Sequence, residues 1–184
     1  MTTVGTSSVP CLASGPSRGH SGDVLAIVAP GQGAQKPGFL SDWMSDATFS
    51  DHLAWLSAVA DIDLVTHGTT SDEATIKDTA VAQPLLVAAA LATAWSVVPK
   101  IFSQADLLAG HSVGEIAAGA AAGAFSAEAA MVLVRERGRA MAEAASRTAT
   151  SMTAVIGGDA DEVLTAIKAA GLTPANHNCL LYTS

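Results

Sequence analysis

Aromatic residues are scarce in this sequence: three tryptophans, one tyrosine and four phenylalanines in 184 residues. A core must therefore come from aliphatic and small side chains, and the abundance of alanine suits close-packed helices against a sheet. Cysteine is scarcer still. Cys11 and Cys179 lie in no Cys-x-x-Cys pair and beside no ligand-spaced histidine, which excludes a zinc site and a disulfide framework. The five histidines, His20, His52, His67, His111 and His177, are scattered without metal spacing, so no metal site is expected. Basic residues are outnumbered, 9 against 17 acids, for a net charge of −8. Without a basic patch, nucleic-acid binding is excluded, and the acidic balance suits a soluble cytoplasmic enzyme. No apolar run reaches membrane-spanning length, so no membrane partner is expected. Residues 1–22, rich in Ser, Gly, Thr and Pro, lack the apolar core of a signal peptide and read as a disordered leader.

What remains is enough chain for one moderate domain, or a domain with a small lobe. Residues 23–29 form a continuous apolar run, as expected of a strand buried on both faces of a parallel sheet. Pro30-Gly31-Gln32-Gly33-Ala34-Gln35 follows as a tight loop; it lacks the third glycine and the acidic residue of a dinucleotide fingerprint. Helices are predicted over 39–44 and 49–60, the second with Leu53, Leu56 and Ala60 at helical spacing, and Trp43 and Trp55 read as core. Residues 61–75 are polar and irregular, with one short helix. Residues 83–95 form a buried helix with Pro84 in its first turn, and Pro99 marks its end. Beyond, residues 126–147 form a long helix whose Met131, Val134, Gly138, Met141 and Ala145 share a face; Arg137 borders it, Arg135 lies on its other flank and Arg139 points further out. Residues 152–157 read as a strand. Asp159 and Glu162 form a capping box for a helix with Val163, Leu164 and Ile167 on its buried side, Gly171 ends it, and 173–178 read as a second strand.

The chemistry centres on Leu107-Leu108-Ala109-Gly110-His111-Ser112-Val113-Gly114-Glu115. An apolar strand at 105–109 runs into Gly-x-Ser-x-Gly, and a helix of small residues follows over 115–123. This is the pattern of a nucleophile elbow, with Ser112 at the apex of a turn too tight for side chains beside it. The helix start supplies free N–H groups and a favourable dipole for an oxyanion formed on attack by Ser112. Taken alone, Gly-x-Ser-x-Gly also arises as a plain structural turn in a chain this rich in glycine and alanine.

The combination is more specific than its parts. The Gly31-Gln32-Gly33 loop, Gln83-Pro84-Leu85, Gly110-His111-Ser112-Val113-Gly114-Glu115, Arg135-Glu136-Arg137-Gly138-Arg139 and Ala175-Asn176-His177-Asn178 together resemble the malonyl-CoA:acyl-carrier-protein transacylase family, from about residue 24 to 178. The resemblance implies an α/β fold: a hydrolase-like parallel sheet flanked by helices over 23–148, and the first β-α-β part of a small ferredoxin-like subdomain over 149–178. It implies that Ser112 is the nucleophile, that the backbone N–H groups of Gln32 and Val113 form the oxyanion hole, and that Arg137 holds the free carboxylate of the malonyl group. A guanidinium can grip a carboxylate with two parallel hydrogen bonds, and losing such a pair costs roughly 2–5 kcal/mol. The implied partners are malonyl-CoA and acyl carrier protein, whose own phosphopantetheine thiol takes the acyl group by ping-pong transfer; the enzyme needs no cofactor and no metal.

The chain also departs from that family. The family's general base is a histidine beyond residue 184, and neither His111, expected to pack, nor His177 takes its place. Residues 179–184 do not continue the pattern and read as a non-family tail of a truncated or chimeric frame. Without its base, a serine-histidine enzyme loses a factor on the order of 10⁴. A weakly active or inactive fragment is thus expected, prone to aggregate through exposed apolar surface. Two other readings stay open: a polyketide synthase acyltransferase domain, and an esterase, in which the Gly-Gln-Gly loop and Arg137 would have no role.

Overall fold

A computed structural model describes residues 24–97, 101–148, 152–153 and 155–175. The expected leader and the tail at 179–184 lie outside them, as do His177 and Pro99. The chain divides into two units, residues 1–144 and 145–184.

The first unit is α/β. Strand β1 (Ala26–Ala29) pairs in parallel with β2 (Leu107–Gly110), in the register Ala26↔Leu107 to Ala29↔Gly110. A parallel pair requires a long crossover, and helices fill it. A 3₁₀ turn at Asp42–Ser45 stands where a helix was predicted over 39–44. Helix α1 (Ala47–Ala60) begins where the Asp46 carboxylate accepts the Phe49 N–H at 2.9 Å, and it buries Phe49, Leu53, Leu56 and Ala60 completely. Trp43 packs against that core, 5.5 Å from the Phe49 ring, but Trp55 is 39% exposed, its ring tilted 41° against that of Trp95 at 6.2 Å.

The stretch read as irregular holds two short helices, α2 (Leu64–Thr69) and α3 (Glu73–Lys77). Each is started by an aspartate: Asp63 accepts from Thr66 N–H at 3.0 Å and Asp72 from Thr75 N–H at 2.8 Å. Such caps let helices form that are too short to carry an apolar stripe.

Helix α4 (Thr79–Val97) starts four residues before the predicted 83, where the Asp78 carboxylate accepts the Ala80 N–H. Pro84 is therefore inside the helix and not in its first turn, and the Ala80 carbonyl goes without its usual i+4 donor. At this length α4 is long and apolar enough to cross a membrane, contrary to the sequence reading. It is a core helix nonetheless: residues from Ala82 to Ala92 are buried almost all round, against α1, α2, α3 and the helix at Gly114–Ala121.

A single turn, α5 (Ile101–Gln104), leads into β2. Helix α6 (Gly114–Ala121) follows the elbow and packs on both strands. Helix α7 (Ala127–Ser146) opens with the Ser126 hydroxyl accepting the Ala129 N–H and buries Ala130, Met131, Val134 and Gly138. The far end of the predicted face, Met141 and Ala145, is exposed.

In the second unit, helix α8 (Ala160–Ala169) is capped by Asp159, which accepts from the Asp161 and Glu162 N–H groups. Val163, Leu164 and Ile167 are half-buried. Gly171, at φ +70°, closes the helix with Gly171 N–H to Lys168 and Leu172 N–H to Ile167 carbonyls. The strands predicted on either side are not formed among the described residues. Residues 152–153, 155–157 and 173–175 have no ladder, and Met152 and Ile156 are 80% and 85% exposed. An apolar run becomes a strand only where another strand satisfies its backbone.

Candidate active site

The turn between β2 and α6 is shaped by steric limits. Ser112 has φ +53°, a left-handed conformation that costs a non-glycine residue about 1–3 kcal/mol unless its surroundings hold it. They do hold it. A Cβ on Gly110 would lie 2.2 Å from the Gly114 carbonyl group, and one on Gly114 would lie 2.3 Å from the Ala29 oxygen. Both positions must be glycine for β1, β2 and α6 to meet at this point. The turn closes through Gly114 N–H to His111 O at 3.0 Å and Glu115 N–H to Ser112 O at 3.1 Å. Val113 is fully buried and leaves Ser112 exposed at the apex.

Arg137 reaches this serine from α7. Its Nη2 donates to Ser112 Oγ at 3.2 Å, and its Nη1 donates to Gln83 Oε1 on α4 at 2.5 Å. The approach of α7 to α4 depends on Gly138, where a Cβ would lie 2.9 Å from the Thr79 carbonyl oxygen. The three arginines of α7 differ in their company. Arg135 and Arg139 both pair with Glu136, at 2.8 and 3.5 Å. Among the described residues Arg137 has no carboxylate partner, so a half-buried positive charge points at the serine without an internal counter-ion. Ser112 and Arg137 line one cavity of about 510 Å³ with Glu115, Ile116, Phe125 and Leu133.

Gln83 is the site residue that sequence reasoning missed. Gln83-Pro84-Leu85 contributes to the family resemblance, which implies no role for the glutamine. It is 1% exposed, accepts from Arg137 and donates Nε2–H to Met141 Sδ at 3.2 Å. The available signal was a lone amide in an otherwise apolar buried run, since a polar group in such a place needs partners.

The glutamine loop is fastened to the end of α3 and the first residue of α4. Gln32 Nε2 donates to the Lys77 carbonyl at 3.3 Å and to Thr79 Oγ1 at 3.2 Å, and Gln35 Nε2 donates to the Ile76 carbonyl at 3.0 Å. The loop adjoins the elbow: His111 N–H donates to Ala29 O at 3.1 Å, and the His111 ring lies over Gly31, where a Cβ would come within 2.5 Å of Nδ1. Among the described residues, no acceptor takes the main-chain N–H of Gln32 or Val113. The structure thus joins Ser112 directly to Arg137 and, through it, to Gln83, while Gln32 bonds to Lys77 and Thr79. Among the described residues no histidine is hydrogen-bonded to Ser112.

Residues 27–179 match the family model for the acyl transferase domain. The malonyl CoA-acyl carrier protein transacylase of Mycobacterium tuberculosis is 45% identical over 157 residues, covering 84% of this chain and 52% of the relative. The crystal structure of MCAT from the same organism superposes with a TM-score of 0.75 at 44% identity, over 84% of this chain and 52% of that one. A second solved structure, a type II polyketide synthase acyl-carrier protein in complex with its malonyl-transacylase, matches with a TM-score of 0.60 at 34% identity, over 66% of this chain and 40% of that one. The chain spans about half the length of the curated relatives it matches. With Ser112 strained between β2 and α6, Arg137 in contact with it and the family model matching residues 27–179, this chain belongs to the acyl transferase domain family.

Proposed function

We propose that this chain carries the acyl-accepting site of an acyl-carrier-protein S-malonyltransferase. The observation that carries the reading is the Arg137–Ser112 contact at 3.2 Å, made by a guanidinium with no internal carboxylate partner among the described residues. An acyl group that reaches Ser112 meets a fixed positive charge a few ångströms on. Malonyl offers a carboxylate there, and acetyl offers a methyl.

Ser112 Oγ attacks the thioester carbonyl of malonyl-CoA, and the N–H groups of Gln32 and Val113, with the start of α6, stabilise the oxyanion. The C–S bond then breaks, CoA leaves as the thiol, and malonyl remains as an ester on Ser112. The phosphopantetheine thiol of acyl carrier protein attacks that ester, takes the malonyl group and returns the hydroxyl. The enzyme supplies no cofactor; the phosphopantetheine arrives on the carrier. The proton leaving Ser112 needs an acceptor, and among the described residues none of the histidines is hydrogen-bonded to it. The proposed site of this reaction is the cytoplasm, where malonyl-CoA and carrier proteins are soluble. The matched complex contains a polyketide synthase carrier protein, so the carrier served here belongs to fatty acid or polyketide synthesis.

Intact-mass spectrometry under single-turnover conditions tests this. Excess malonyl-CoA should add one malonyl group to the chain, on the peptide holding Ser112, and Ser112→Ala should abolish it. Arg137→Ala should reduce malonyl far more than acetyl loading. Labelling on another residue, or equal malonyl and acetyl loading in the unaltered chain, would refute the assignment.

A further inference from the structure

The hydrogen bonds that hold Arg137 on Ser112 continue outward to the surface. Gln83 accepts from Arg137 through Oε1 and donates from Nε2 to Met141 Sδ at 3.2 Å. Gln83 is buried, whereas Met141 is 45% exposed. The relay thus starts on a sulfur open to solvent and ends at the serine. Among the methionines that the structure describes, the others differ. Met131 is fully buried, and Met44 packs half-buried against the core. Met152 is 80% exposed, but it belongs to the second unit. Met141 combines open access with a hydrogen bond from a buried amide.

Access matters because peroxides oxidise a thioether. The sulfur lone pair attacks one oxygen of hydrogen peroxide, the O–O bond breaks, a sulfoxide forms and water leaves. The sulfur gives up two electrons and the peroxide takes them. A polar group with a strong acceptor oxygen then stands where a soft, weak acceptor stood. That oxygen does not fit between Sδ and Nε2. The two atoms are 3.2 Å apart, and an N–H···O bond alone spans about 2.9 Å. If Nε2 donates to the new oxygen, the amide has to move. If the oxygen turns away, the oxidised sulfur is a poorer acceptor still, and Nε2 is left buried without a partner. Either way the amide is driven from the position in which Oε1 meets Arg137. We propose that Met141 is a redox-sensitive modification site, at which oxidation by a peroxide displaces Gln83 and releases Arg137 from its aim at Ser112. A guanidinium no longer aimed favours an acyl group with a terminal carboxylate less, and treats one ending in a methyl no differently. The inference rests on the roles given above to Ser112 and Arg137.

The 184-residue chain is treated with dilute hydrogen peroxide, and the sulfoxide at each methionine is measured by peptide mass spectrometry. Met141 and Met152 should convert, and Met131 should not. Malonyl over acetyl loading of Ser112 should fall roughly tenfold as the Met141 sulfoxide accumulates. It should recover when the two methionine sulfoxide reductases, one per epimer, are added. Met152→Leu should respond as the unaltered chain does. Met141→Leu, close to methionine in volume, should keep its own loading ratio through the treatment. The side-chain NMR resonances of Gln83 and Arg137 report the displacement without any acyl transfer. They should shift on oxidation in the unaltered chain and in Met152→Leu, and stay in place in Met141→Leu. A chain that takes no malonyl on Ser112 before treatment would count against the functional reading, and those resonances would still decide the relay. Resistance of Met141 to peroxide, unmoved Gln83 and Arg137 resonances, or an equal fall in Met141→Leu would each overturn the proposal.

Discussion

Replacing Gln83 by leucine isolates what its amide does for Arg137. The two side chains are close in size, so the buried site keeps its packing, while Arg137 Nη1 loses its acceptor and Met141 Sδ its donor. A hydrogen bond to a charged group contributes about 1.5–3 kcal/mol, and the Met141 contact far less, because a thioether is a weak acceptor. If that energy serves to aim the guanidinium, its loss falls on ligands that use the guanidinium. At about 1.4 kcal/mol per tenfold, Gln83→Leu should lower malonyl over acetyl discrimination by roughly 10- to 100-fold. Acetyl loading should stay nearly unchanged. Competing labelled malonyl-CoA and acetyl-CoA, scored by the mass of the Ser112 ester, give the ratio, and urea melts show whether the fold survives. Unchanged discrimination in Gln83→Leu, alongside its loss in Arg137→Ala, would refute the idea that Gln83 positions the arginine.

Acid should loosen the helices of the crossover. Hydrogen bonds from the Thr66 side chain and N–H hold the Asp63 carboxyl below its usual 3.8, and those from Thr75 do the same for Asp72. A depressed folded value means the stabilisation is complete above the unfolded pKa and is lost as pH falls through the folded one. The melting temperature should therefore drop as pH falls below about 3.8, and Asp63→Ala, costing about 1 kcal/mol at neutral pH, should flatten that drop. Gly138→Val should destabilise by about 1–3 kcal/mol, since its Cβ meets the Thr79 oxygen at 2.9 Å, and should cut malonyl loading more than acetyl loading by moving α7. Gly114→Ala, aimed at the Ala29 oxygen at 2.3 Å, should fail to give a cooperative melt.

Where one periodicity ruled a stretch, the sequence was enough. Leu53, Leu56 and Ala60 announced α1, and Gly-x-Ser-x-Gly after an apolar run announced the elbow. Where local side-chain chemistry competed with pattern, it was less so. Asp63, Asp72 and Asp78 each start a helix by accepting an N–H from the chain just ahead, which no apolar stripe records. That is why α2 and α3 were read as one short helix and α4 was read four residues short. Strands are the opposite case. Residues 152–157 have strand composition, but pairing is a property of two segments, and one segment cannot reveal whether its partner is at hand. The Arg137–Gln83 contact joins residues 54 apart in sequence. No spacing rule reaches that far; the two helices meet where Gly138 lets α7 approach Thr79.

The choice among three arginines on one helix follows from geometry more than from charge. Glu136 sits between Arg135 and Arg137 in sequence and takes Arg135 and Arg139, which its side of the helix presents to it. Arg137 is turned away by the helical rotation of about 100° per residue, toward the face where Gly138 lets α4 approach. There its acceptors among the described residues, the Gln83 amide and the Ser112 hydroxyl, are both neutral, so its charge is aimed and not cancelled by them. A carboxylate in place of Gln83 would pin the guanidinium equally well, yet it would remove the field that an acidic acyl group feels. An apolar residue would leave the field and lose the aim. A buried glutamine does both, and it explains why a polar side chain stands in the most apolar helix of the chain.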